Sequence, residues 1–161
     1  MGLTVAAAAG CGGKDDPAAR GRDDYRDVYR RAMLSVAERD LEALWPLLTE
    51  NGRQGLERVL RQWQGMLAGG EGGELLLQRV RERLPGVTDE EIAAAARGSL
   101  ADAWRFFLRA DPRPAAPKQA GMEVAPDGRG VRLLYESPDG TIREVRLVQR
   151  PSGWYVDLLQ L

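Results

Sequence analysis

The sequence predicts an α+β domain: N-terminal helices packed on a C-terminal antiparallel β-meander. Three observations carry this. Apolar residues recur at helical spacing from Tyr25 to Phe107. The stretch "DPRPAAP", Asp111 to Pro117, then stops any helix and reads as an extended connector. Beyond it, short runs alternate apolar and polar residues and are divided by Pro- and Gly-bearing turns. Helices followed by a meander define the class.

The first helix is carried by Tyr25, Val28, Tyr29, Ala32, Met33 and Val36, which fall on one face and leave Arg26, Arg30 and Glu38 outside it. Asp40 then precedes "LEALWPLL" and has the chemistry of an N-cap for a short second helix. Pro46, lying within that run, kinks or ends it. Leu56, Val59, Leu60, Trp63 and Leu67 mark a third helix. "AGGEGGE", Ala68 to Glu74, is a loop on its four glycines. Leu76, Val80 and Leu84 suggest a further helix, stopped by Pro85 and Gly86. "TDEE", Thr88 to Glu91, has the form of a capping box and opens a helix running through Ile92, Ala96, Leu100, Ala103 and Phe107.

Four strands are expected after the connector. Met122 to Ala125 is closed by "PDGRG", and Val131, Leu133 and Tyr135 alternate with Arg132 and Glu136. Thr141 to Gln149 follows the turn "SPDG", and Trp154 to Leu161 follows "RPSG". The alternation slips at Glu144 and Val145, which predicts a bulge there. The expected core is Val28, Met33, Trp45, Val59, Leu60, Ile92, Leu100, Phe107, Leu133, Val145, Val156 and Leu158.

Composition removes several kinds of chemistry. With 23 basic and 24 acidic residues, no overall charge bias calls for nucleic acid as a partner. There is no histidine, so the commonest general base near neutral pH and the commonest metal ligand are missing. A single cysteine forms no intrachain disulfide and no thiolate zinc cage. Neither a metal nor a cofactor is expected. No apolar run approaches the roughly 20 residues that span a bilayer.

That cysteine, Cys11, follows an apolar segment, Leu3 to Ala9, and precedes the polar, glycine-rich "GGKDDPAARGRDD". "AAGC", Ala8 to Cys11, resembles the lipobox of bacterial lipoproteins. The resemblance implies cleavage before Cys11, a diacylglycerol on its sulfur, and a membrane-anchored lipoprotein of the cell envelope. Residues 1–10 would then be a signal-peptide remnant, 11–24 a flexible tether, and 25–161 a single α+β domain.

The amphipathic first helix, "AERDLEAL" at Ala37 to Leu44, and a meander ending in "GWYVD" together resemble the nuclear-transport-factor-two-like, or cystatin-like, cone fold. The resemblance implies a sheet curled over helices with a pocket at its open end. Some members use that pocket as an enzyme site, with Asp, Tyr or His in it; others bind or scaffold.

The side chains available for such a pocket are Tyr25, Tyr29, Asp40, Tyr135, Tyr155 and Asp157. Asp157 stands out because it sits between Val156 and Leu158 in an apolar last strand. A carboxylate desolvated there has the raised pKa of a general base. An ordinary strand position pairs it instead with an arginine such as Arg146 or Arg143. Asp40 reads as a helix cap, and the four tryptophans as core or pocket lining. Gly69 to Gly73 lack the Gly-Lys-Ser/Thr ending of a phosphate loop. The expected function is a non-enzymatic envelope lipoprotein, anchored through Cys11, whose domain binds a partner protein or a small apolar ligand. The alternative is a pocket enzyme of the isomerase or lyase type, with Tyr29 and Asp157 as its candidate groups.

Overall fold

The computed structural model describes residues 24–113, 116–137 and 140–160. Cys11, the signal-like segment and residues 11–23 of the expected tether lie outside them. Helices α1 (Tyr25–Glu38), α2 (Leu41–Leu44), α3 (Glu50–Leu67), α4 (Gly73–Arg83), α5 (Asp89–Arg97) and α6 (Leu100–Ala110) come first. A 3₁₀ turn at Trp45–Leu47 absorbs Pro46 between α2 and α3. Strands β1 (Lys118–Val124), β2 (Gly130–Glu136), β3 (Ile142–Arg150) and β4 (Gly153–Leu159) then form one antiparallel sheet in the order of the chain. The α+β class and the helices-then-meander order hold.

The caps explain where the helices begin. Asp24 accepts from the Arg26 N–H, and Asp40 accepts from the Ala43 N–H. The Thr88–Glu91 capping box is formed in both directions. A second box, Ser99 with Asp102, starts α6. The single helix expected from Thr88 to Phe107 is therefore two. Gly98 and Ser99 break it, and each half has its own cap. The glycine run is also shorter as a loop than expected, since Gly73 already opens α4.

The inner face of the sheet carries Val131, Leu133, Tyr135, Val145, Leu147, Trp154 and Val156, all buried. They pack with Val28, Ala32, Met33 and Val36 of α1, Leu56 and Leu60 of α3, and Trp104 and Leu108 of α6. A smaller cluster lies away from the sheet, where Leu67, Val80, Ile92, Ala95 and Phe106 meet. Trp63 joins the two: its ring lies 5.8 Å from Phe106 and 5.1 Å, edge-on, from Phe107. Of the expected core residues, Trp45, Leu100, Phe107 and Leu158 are half-buried, and Val59 is 47% exposed. Val59 is a correction. The face of α3 that packs inward runs through Leu56, Leu60 and Leu67, and position 59 lies beside that stripe.

The outer face of the sheet carries an alternating row of charge. Glu123 meets Arg132 at 3.2 Å, Arg132 meets Glu144 at 3.0 Å, and Arg146 lies 3.5 Å from Glu144 and 4.0 Å from Asp157. The row crosses all four strands and accounts for Glu144, a charged residue that is almost fully buried.

Candidate functional site

The geometry centres on the join between α3 and β4. The chain enters α3 beside the free edge of β4. Leu48 forms a parallel bridge with Val156, and the Thr49 N–H donates to the Val156 carbonyl at 2.8 Å. The Thr49 hydroxyl accepts from the Gly52 N–H at 3.0 Å, as an N-cap, and donates to the Asp157 carboxylate at 2.8 Å. Gly52 is required for this approach. A Cβ there would stand 2.9 Å from the Val156 carbonyl oxygen.

Asp157 owes its position to a bulge. Arg146 pairs with Leu158 and Leu147 with Val156, so Asp157 is the extra residue on β4. The bulge expected on β3 at Glu144 and Val145 therefore lies on β4, opposite the Arg146–Leu147 step. A bulged residue is turned out of the ladder. Here the turn brings the carboxylate to Thr49 on one side and Arg146 on the other.

Past Gly52, α3 and the sheet diverge and leave a groove of about 660 Å³, within the ~300–1,000 Å³ usual for small-molecule sites. Asn51, Gly55, Leu56, Arg58 and Val59 form one wall. The starts and ends of two strands, Thr141–Arg143 and Asp157–Gln160, form the other, and Phe107 closes the space from α6. A Cβ at Gly55 would meet nothing within 4 Å, so the glycine leaves the groove open. Val59 and Ile142, 47% and 53% exposed, present apolar surface from opposite walls.

The candidate side chains are dispersed. Tyr29 is half-buried on α1 and does not line this groove; burial, with Tyr135 nearby, pushes its hydroxyl up to about 12. It stays protonated across the physiological range. Tyr135 is buried and donates to the Gln160 carbonyl at 2.8 Å. Tyr25 stacks edge-on against Trp154 at 5.6 Å and donates to the Met122 sulfur. Tyr155 pairs with the Ser152 hydroxyl, and Asp40 caps α2. Among the described residues, no group of three or more acidic or thiol side chains is placed to hold a metal ion. No described helix is long and apolar enough to cross a membrane.

Sequence reasoning missed the groove because it began α3 at Leu56. "NGRQG", Asn51 to Gly55, has the composition of a loop, and its two glycines are poor helix formers. The available signal was Thr49 followed by acidic Glu50, an N-cap and a first-turn acid ahead of the apolar stripe. Comparison of the chain with protein-family models, with curated proteins and with solved structures gave no match.

Proposed function

We propose that this is an envelope lipoprotein anchored through a lipid on Cys11, and that its cone-like domain is a binding module taking a small apolar ligand in the groove between α3 and β4. The observation that supports this most is the groove's composition. Val59 and Ile142 face solvent from opposite walls above the empty space at Gly55. Burying such surface under a ligand yields about 25 cal/mol per Å² of apolar area removed from water. The isomerase or lyase alternative needs a carboxylate desolvated and free of cations. Asp157 instead accepts from Thr49 and faces Arg146.

The ligand test uses the neutral fluorophore N-phenyl-1-naphthylamine. Its emission rises on titration with the protein, and Gly55→Leu, whose Cβ meets nothing within 4 Å and whose larger side chain takes up groove space, removes the rise. An unchanged titration with Gly55→Leu rejects the groove as the site. Anchoring is tested separately in cells making the precursor. The protein partitions into a detergent phase, and Cys11→Ser leaves it in the aqueous phase.

A further inference from the structure

Building on the groove reading, we propose that the ligand is a long-chain carboxylate, its tail lying between Val59 and Ile142 and its head on the Arg58 guanidinium. The argument is one of unmatched charge. α3 carries three arginines, Arg53, Arg58 and Arg61. Arg53 donates from Nε to the Trp45 carbonyl at 3.0 Å, and Arg61 pairs with Glu57 at 2.8 Å. Arg58 lines the groove and has no hydrogen-bond or ion-pair partner among the described residues.

The acid of the groove does not answer it. The Asp157 carboxylate already accepts from Thr49 and faces Arg146. Arg143, at the other wall, donates from Nε to the Ser137 hydroxyl at 2.8 Å. Among the described residues that line the groove, Arg58 is therefore the charged side chain left without a partner, set at the rim of an apolar trough. A guanidinium holds a carboxylate through two parallel N–H···O bonds. One free guanidinium balances one singly charged head, whereas a phosphate monoester brings nearly two charges. The long arginine stem also lets the charged head stay in water while its methylenes extend the apolar wall.

Isothermal titration with dodecanoate and with 1-dodecanol, at low and high salt, separates the two readings. Dodecanoate is expected to bind about tenfold more tightly than the alcohol, the ratio that one charge-assisted hydrogen-bonded pair supplies. Arg58→Gln brings the two ligands to equal affinity and removes the salt dependence; Arg79→Gln, on α4, changes neither. Gly55→Leu abolishes binding of both. Equal affinities in the unaltered protein, or a preference that survives Arg58→Gln, overturn the carboxylate proposal while leaving the groove reading intact. Failure of both ligands to bind, or indifference of both to Gly55→Leu, rejects the groove reading itself.

Discussion

The two hydrophobic clusters differ in what encloses them. The larger is closed by a sheet on one side and by α1, α3 and α6 on the other, so Val28, Leu44, Leu60, Trp104, Val145, Leu147 and Val156 lose all contact with water. The smaller is closed by helices alone, at the far end of α3, at Phe106 of α6 and along α4 and α5. Trp63, Leu76, Leu77, Leu84 and Val87 remain half-buried around it, and Leu75 next to them is 64% exposed. Ion pairs on its margin, Arg109 with Glu91 and Arg83 with Asp111, tie its helices to α6 through solvent-exposed contacts. Such pairs contribute ~0–1 kcal/mol each. Stability is therefore concentrated where the sheet is, and the small cluster depends on the large one through Trp63 and Phe107.

This contrast can be broken most directly at Trp104. Trp104→Ala empties the centre of the larger cluster and should cost about 3–5 kcal/mol in urea denaturation, enough to unfold much of a domain whose net stability is typically ~5–15 kcal/mol. A loss under 1 kcal/mol would place the centre elsewhere. Leu60→Ala and Ile92→Ala sharpen the comparison. Both lie in the ~2–5 kcal/mol class, with Ile92 expected at its low end because its half-exposed neighbours can close the gap. Amides of α4 and α5 should likewise exchange with solvent faster than those of β2 and β3. Equal protection would show a single cooperative unit.

Gly52 and Gly55 of α3 give opposite signs. Gly52→Ala pushes a methyl to 2.9 Å from the Val156 carbonyl and is expected to destabilise. Gly55→Ala meets nothing and is expected to stabilise by about 0.5–1 kcal/mol through helix propensity.

The smallest effect concerns pH. Hydrogen bonds from Thr88, with Arg109 beside it, hold Glu91 below its ordinary value, and those from Ser99 do the same for Asp102. Below the ordinary carboxylate range the unfolded chain takes up protons before these groups do. Their contribution is present above that range and disappears as pH falls through the lowered values. In denaturation measured against pH, Glu91→Gln should flatten the acid limb slightly; an unaltered limb would show that the Thr88 cap carries no pH dependence.

Much of this was legible where local chemistry decides. Asp40, Thr88 with Glu91, and the turns at "PDGRG" and "RPSG" each act within a few residues, and all form as their spacing requires. Two features were hidden because tertiary contact overrides propensity. Asn51 to Gly55 is helical only because β4 lies against it. Asp157 is bulged because β3 and β4 step past each other there, and no alternation on β3 alone reveals which strand holds the extra residue. Val59 shows a third limit. Helical spacing identifies a stripe, while the width of the face actually covered depends on what packs against it.

The bond between Thr49 and Asp157 joins residues 108 positions apart. During synthesis the sequence of all six helices leaves the ribosome before Val156 does. Until then the front of α3 has neither the carbonyl that receives the Thr49 N–H nor the carboxylate that receives its hydroxyl. Its first turns, rich in glycine, have little reason to form alone. Completion of an early helix thus waits on the last strand, and the domain acquires its groove in one late step, when both walls arrive together.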